Sequence, residues 1–135
     1  MIIDTNVVLD ALLFRDPFVH AAAKILGMAE RSEIEAFLGA TTVTTIDYLI
    51  EQSLPEREAR AALRHLLELF DVAPVNRAVL ERALAMNMRD YEDAVISAAG
   101  ELVGAEAVVT RNTKDFVKCP LRVLQPDEFL AILKG

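Results

Sequence analysis

Short apolar runs alternate with amphipathic helical stretches along nearly the whole chain, and that alternation leaves few folds open. Met1-Ile2-Ile3 and the segments 35–41, 70–75, 105–110 and 121–124 read as strands. Between them apolar residues recur at helical spacing. One stripe is Phe18, Ala21, Ala22, Ile25, Leu26 and Ala29. A second is Ala59, Ala62, Leu63, Leu66, Leu67 and Phe70, and a third Ala94, Val95, Ala98, Ala99, Leu102 and Val103. Strands separated by helices in this way form a parallel sheet covered by helices on both faces. The 135 residues suit one domain over 1–135.

Punctuation along the chain supports these elements. Asp16-Pro17 reads as an N-cap with proline at the first helical position. Asn76 reads as a cap, and Pro126-Asp127-Glu128 opens a terminal helix with acids suited to its dipole. Thr41 to Thr45 reads as the polar end of the second strand, with a helix continuing from Ile46.

Several function classes are excluded at this level. An apolar content of 53% argues against disorder. No apolar run reaches the ~18 residues of a membrane span, and no secretory leader opens the sequence, so a cytoplasmic location is expected. One cysteine and two histidines are too few for a thiolate or histidine zinc site. No glycine-rich phosphate loop is present. The net charge of −7 argues against a general nucleic-acid binder, though not against an enzyme that bridges acids to phosphate through a divalent metal.

Polar clusters fall where the predicted strands end. In a parallel sheet all strand C-termini face one edge, where ligands bind. Asp4 with Asn6, Thr41 to Thr45 with Asp47, and Asn112 with Asp115 therefore converge there, as does the helix start at Asp90, Glu92 and Asp93. Convergent carboxylates repel unless a cation sits among them, and oxygen-only ligands favour magnesium or manganese. Each cluster also has a plain structural reading. Asp4 and Thr5 can cap the next helix, Asp90 to Asp93 can form a capping box, and Asp115 can cap a turn. The row Arg57, Arg60 and Arg64 reads as a solvated face, and His20 as a solvated histidine.

The sequence resembles the PIN-domain ribonucleases, most closely the small stand-alone members related to virulence-associated protein C toxins. The resemblance rests on Ile3-Asp4-Thr5-Asn6-Val7, on Asp90-Tyr91-Glu92-Asp93-Ala94 with Ala98-Ala99, and on Val109-Thr110-Arg111-Asn112-Thr113-Lys114-Asp115-Phe116. It implies a three-layer α/β/α sandwich with a mainly parallel sheet of about five strands. It also implies Mg²⁺- or Mn²⁺-dependent cleavage of single-stranded RNA by in-line attack of activated water. Asp4 and Asp93 match the metal-binding acids, with Asp90 and Asp115 as further catalytic acids. Asn6, Thr45, Asp47 and Asn112 are expected to support them, and Arg89, Arg111 and Lys114 to hold RNA phosphates.

One departure from the family pattern stands out. Many members carry a glutamate at the start of the helix after strand two, and aligning Tyr48-Leu49-Ile50 with the usual run places Thr45 there. Asp47 is two residues on, about 200° around a helix and so on another face. The implied partners are an RNA substrate, a small antitoxin protein and a second copy of the chain in a homodimer. Some of the apolar surface of the helix at 43–51 and of the one after it is expected to form that interface. The competing reading is a non-catalytic RNA- or protein-binding module with a degenerate metal site. A phosphatase with an aspartyl nucleophile ranks lower, because Asn6 stands where a second acid is needed.

Overall fold

The computed structural model describes residues 1–134. Its strands are β1 (Ile2–Ile3), β2 (Phe37–Gly39), β3 (Asp71–Ala73), β4 (Ala107–Val109) and β5 (Arg122–Leu124). The helices are α1 (Thr5–Leu12), α2 (Val19–Glu30), α3 (Ala40–Ile50) and α4 (Glu56–Leu69), then α5 (Arg77–Ala85), α6 (Tyr91–Leu102) and α7 (Pro126–Lys134). A short 3-10 helix occupies Thr113–Phe116. The five strands form one all-parallel sheet in the order β3-β2-β1-β4-β5. The expected α/β architecture is therefore present.

Alternation along the strands divides the core between the two faces, as the two-residue strand period requires. Ile3, Leu38, Val109 and Leu124 point into one cluster, closed by α1, α2, α3, α4 and Phe129 of α7. Ile2, Ala73, Val108 and Phe116 point into the other, closed by α5 and α6. α6 is buried all round from Ala94 to Gly100, more deeply than its amphipathic stripe predicted. Its close approach depends on Gly100, where a Cβ would lie 2.8 Å from Ile2 Cγ2 and 2.9 Å from Leu121 Cδ1.

Three expectations change. β2 is shorter than 35–41, and Thr41 to Thr45 belong to α3, which starts at Ala40 directly after Gly39. A run of β-branched threonines looks extended from its propensity, but here each lies inside a helix whose Ile46 and Ile50 are fully buried. Asp16-Pro17 does not open α2; the helix starts at Val19, and Phe18 at the cap makes no side-chain bond. α3 and α4 do not lack a layer to cover them. Ile46, Ile50, Ala59 and Leu66 all enter the first core cluster, leaving Tyr48 and Leu67 among the exposed apolar side chains.

Candidate active site

β1 is the central strand, and the chain winds outward from it in both directions. β2 and β3 lie on one side, β4 and β5 on the other. A crevice opens at the C-terminal end of such a strand, where the connections diverge. Asp4 follows β1 at this point and is nearly inaccessible to solvent. Its backbone N–H still donates to Val109 O of β4, at 2.9 Å.

Both Asp4 carboxylate oxygens are engaged. Oδ1 accepts from the Thr5 backbone N–H at 2.8 Å, which makes Asp4 the N-cap of α1. Oδ2 accepts from the Thr110 hydroxyl at 2.7 Å, and that hydroxyl in turn accepts from Asn112 N–H at 3.0 Å. Burial raises the Asp4 pKa, and these two hydrogen bonds only partly oppose it. Thr110 lies in a motif singled out from the sequence, but no role was seen for it. The available signal was a hydroxyl at the end of a strand that pairs with β1.

A cleft of about 250 Å³ opens over Asp4. Its walls carry Asp90, Glu92 and Asp93 from the head of α6, with Asn112 and Asp115 from the β4 loop and the 3-10 helix. Thr5, Asn6, Thr45 and Leu49 complete it. Asp90 is the N-cap of α6, its Oδ1 accepting from Asp93 N–H at 3.1 Å. Capping and pocket-lining thus coincide in one residue, because a helix that starts at the sheet edge must present its capped end to the crevice. Asp93 is half-buried, and its pKa is pushed up to about 7, chiefly by desolvation and then by Asp4, Asp90, Asp115 and Glu92.

Four acids expected at the site, Asp4, Asp90, Asp93 and Asp115, therefore share one cleft, together with Asn6, Thr45 and Asn112. Asp47 is not part of it. Thr45 lines the cleft, while Asp47 turns to the far side of α3, where Oδ2 lies 3.9 Å from Arg60 Nη1. The 200° offset accounts for this separation. Asp47 Oδ1 is buried without a hydrogen-bond partner among the described residues. Arg57, Arg60 and Arg64 do not line the cleft.

Arg111 is occupied elsewhere. Its Nε and Nη2 donate to Asp10 at 2.8 and 3.3 Å, and its guanidinium lies 4.2 Å from the Phe18 ring centroid. Asp10 is almost completely buried and also lies 3.5 Å from Arg15. Arg15 donates to Asn6 Oδ1 at 3.4 Å. Sequence reasoning gave Asp10 no role; its burial on α1 is balanced by Arg15 and by Arg111, which is 101 residues away.

Among the described residues no three Asp, Glu, His or Cys side chains stand close enough together to enclose an ion. The donor set nevertheless fits a hard divalent cation. It consists of oxygen atoms, it includes a buried acid, and desolvation followed by the neighbouring acids disfavours the charge on Asp93, which a cation would offset. Side chains that repel one another splay apart until positive charge draws them in.

No helix among the described residues is long and apolar enough to cross a membrane. No curated protein matches the sequence. The structure is similar to a toxin–antitoxin complex from Klebsiella pneumoniae, with TM-score 0.70 and 26% identity over 93% of this chain and 96% of that one. It is also similar to FitAcB from Neisseria gonorrhoeae, with TM-score 0.72 and 20% identity over 93% and 96%. A third similar structure is VapBC2 from Rickettsia felis bound to a promoter DNA fragment, with TM-score 0.69 and 14% identity over 92% and 96%. The PIN domain family model matches residues 1–114, which is most of the chain and includes Asp4, Asp93 and Asn112; the chain belongs to the PIN domain family.

Proposed function

We propose that the protein is a metal-dependent endoribonuclease acting on single-stranded RNA, and that it serves as the toxin of a toxin–antitoxin pair. The observation that carries this reading is the gathering of Asp4, Asp90, Asp93 and Asp115 round one cleft at the end of the central strand. The similar toxin–antitoxin complex from Klebsiella pneumoniae supports the pairing.

Asp4 and Asp93 would hold Mg²⁺ or Mn²⁺. When bound, such an ion acts as a Lewis acid toward a phosphodiester and its attacking water. The chain supplies the rest. Thr5 N–H and the Thr110 hydroxyl fix both oxygens of Asp4, so its carboxylate is preorganised. Desolvation and the neighbouring acids disfavour the charge on Asp93 in the metal-free cleft, so a bound cation would favour its ionised form. Asp90 and Asp115 orient water from the two rims, and Asn6 and Asn112 add neutral hydrogen-bonding groups.

Asp4→Asn or Asp93→Asn is expected to abolish Mn²⁺-dependent cleavage of a single-stranded RNA while leaving a cooperative thermal melt. Wild-type cleavage rates in either variant would refute the assignment. A second reading, a binding module with a degenerate metal site, is favoured by Thr45 facing the cleft without a charge. Absence of saturable Mn²⁺ binding in the wild-type protein would select that reading.

A further inference from the structure

A second cleft, also of about 250 Å³, adjoins the acidic one, and Asp115 lines both. Its walls carry Arg89, Lys114 and Lys118, with Met88 and Val117 between them. The cations come from the same two segments that supply the acids. Arg89 immediately precedes Asp90, and Lys114 and Lys118 flank Asp115. All three are exposed, and none forms an ion pair among the described residues. Arg15, Arg31, Arg60, Arg77, Arg82 and Arg111 are all paired with acids. In a chain of net charge −7, three cations against the single acid Asp115 round one cleft are a local reversal of sign.

We infer that this cleft is a phosphate subsite. It holds a backbone phosphate of a single-stranded RNA whose neighbouring phosphodiester lies in the acidic cleft. The inference rests on the ribonuclease reading above and adds Lys118 and a requirement on substrate length. A planar arginine fork and two flexible ammonium groups suit phosphate oxygens. No aromatic side chain lines the cleft, so it senses charge rather than bases. The acidic cleft repels a polyanion, and the adjoining cations supply the opposing attraction exactly where the strand must continue. A substrate must therefore extend at least one phosphate beyond the cut toward Lys118. A dinucleotide, which has only the bond to be cut, forgoes this contact.

The test is fluorescence anisotropy of a labelled single-stranded RNA on the intact protein, in EDTA and in Mn²⁺, over a range of KCl. The triple variant Arg89→Gln/Lys114→Gln/Lys118→Gln is expected to bind about tenfold or more weakly at low salt and to flatten the slope of log affinity against log salt by about 0.7, the value for one phosphate of a single strand. Arg57→Gln/Arg64→Gln is expected to change neither. With Mn²⁺, the triple variant raises KM for an oligonucleotide far more than it lowers kcat, and it loses the wild-type preference for the oligonucleotide over a dinucleotide. The inference is overturned if the triple variant keeps wild-type affinity and slope, or if the slope follows Arg57 and Arg64 instead. It is also overturned if wild-type protein binds polyglutamate through these cations and not RNA, which would assign the cleft to an acidic protein segment. The two readings fail separately. If RNA binding depends on the cleft but nothing is cut with any metal, the ribonuclease reading falls and the phosphate subsite stands. If wild type cuts RNA and the triple variant binds and cuts equally well, the subsite falls and the ribonuclease stands.

Discussion

Asp93 sets the pH behaviour of the metal-free protein. Its folded pKa, near 7, exceeds the ordinary aspartate value of 3.8, so between these the native state holds a proton that the unfolded chain has released. The stability this contributes is complete below the unfolded value and is lost as pH rises through about 7. Asp4 is shifted in the same direction by burial. The melting temperature of the protein in EDTA should therefore fall from about pH 5 to about pH 8, and Asp93→Asn should flatten that fall. A melting temperature that rises across the window in wild type would show that the cluster does not dominate. Added Mn²⁺ should reverse the trend, because a cation selects the ionised acids. Thr45 supplies the second test at this scale. It faces the cleft, whereas Asp47 does not, so Thr45→Glu should tighten Mn²⁺ binding as measured by calorimetry. Asp47→Asn should leave that binding near wild type; a loss as large as that of Asp4→Asn would mean that α3 turns to bring Asp47 inward.

At the scale of elements, α1 ends where its buried acid meets the loop after β4. The carboxylate of Asp10 accepts from Arg111 and lies beside Arg15, and the residues on either side of Arg111 are Thr110, which holds Asp4, and Asn112, which lines the cleft. Through this tie α1 fixes the position of the β4 loop and, with it, one wall of the site. Asp10→Ala leaves two guanidinium groups without their counter-charge. It should cost about 2–3 kcal/mol, below the range for a fully buried pair because both arginines keep contact with water. Urea denaturation measures this as a lowered midpoint at unchanged slope. A cost under about 0.5 kcal/mol would show that the loop holds its place without Asp10.

At the scale of the whole molecule, the two helical layers bury most of the apolar stripes, so the case for a homodimer rests on a narrower surface than helical periodicity implied. Tyr48 on α3 and Leu67 on α4 remain 67% and 51% exposed. A two-fold pairing that uses such a face twice is expected to bury more than ~1,000 Å² in total. Light scattering at micromolar concentration should give twice the chain mass of 14.9 kDa, and Tyr48→Glu should return it to a monomer. A wild-type mass that stays at one chain on concentration would rule the dimer out.

The alternation of strands and helices, the acid at the end of the first strand, the caps at Asn76 and Asp90 and the helix opened by Pro126 were legible in the sequence. Each depends on neighbours within a turn or two, and periodicity records such local relations. Strand lengths were not legible, because β2 ends where α3 begins, and no local signal separates a threonine run in a strand from one in a buried helix. The partners of the site were not legible either. Thr110 reaches Asp4 across 106 positions of sequence, and Arg111 reaches Asp10 across 101. The sequence by itself determined that acids and amides from separate segments gather at one sheet edge. Only the tertiary structure decided which of them face the cleft, because that depends on strand order and on the rotation of each helix about its own axis, and packing sets both.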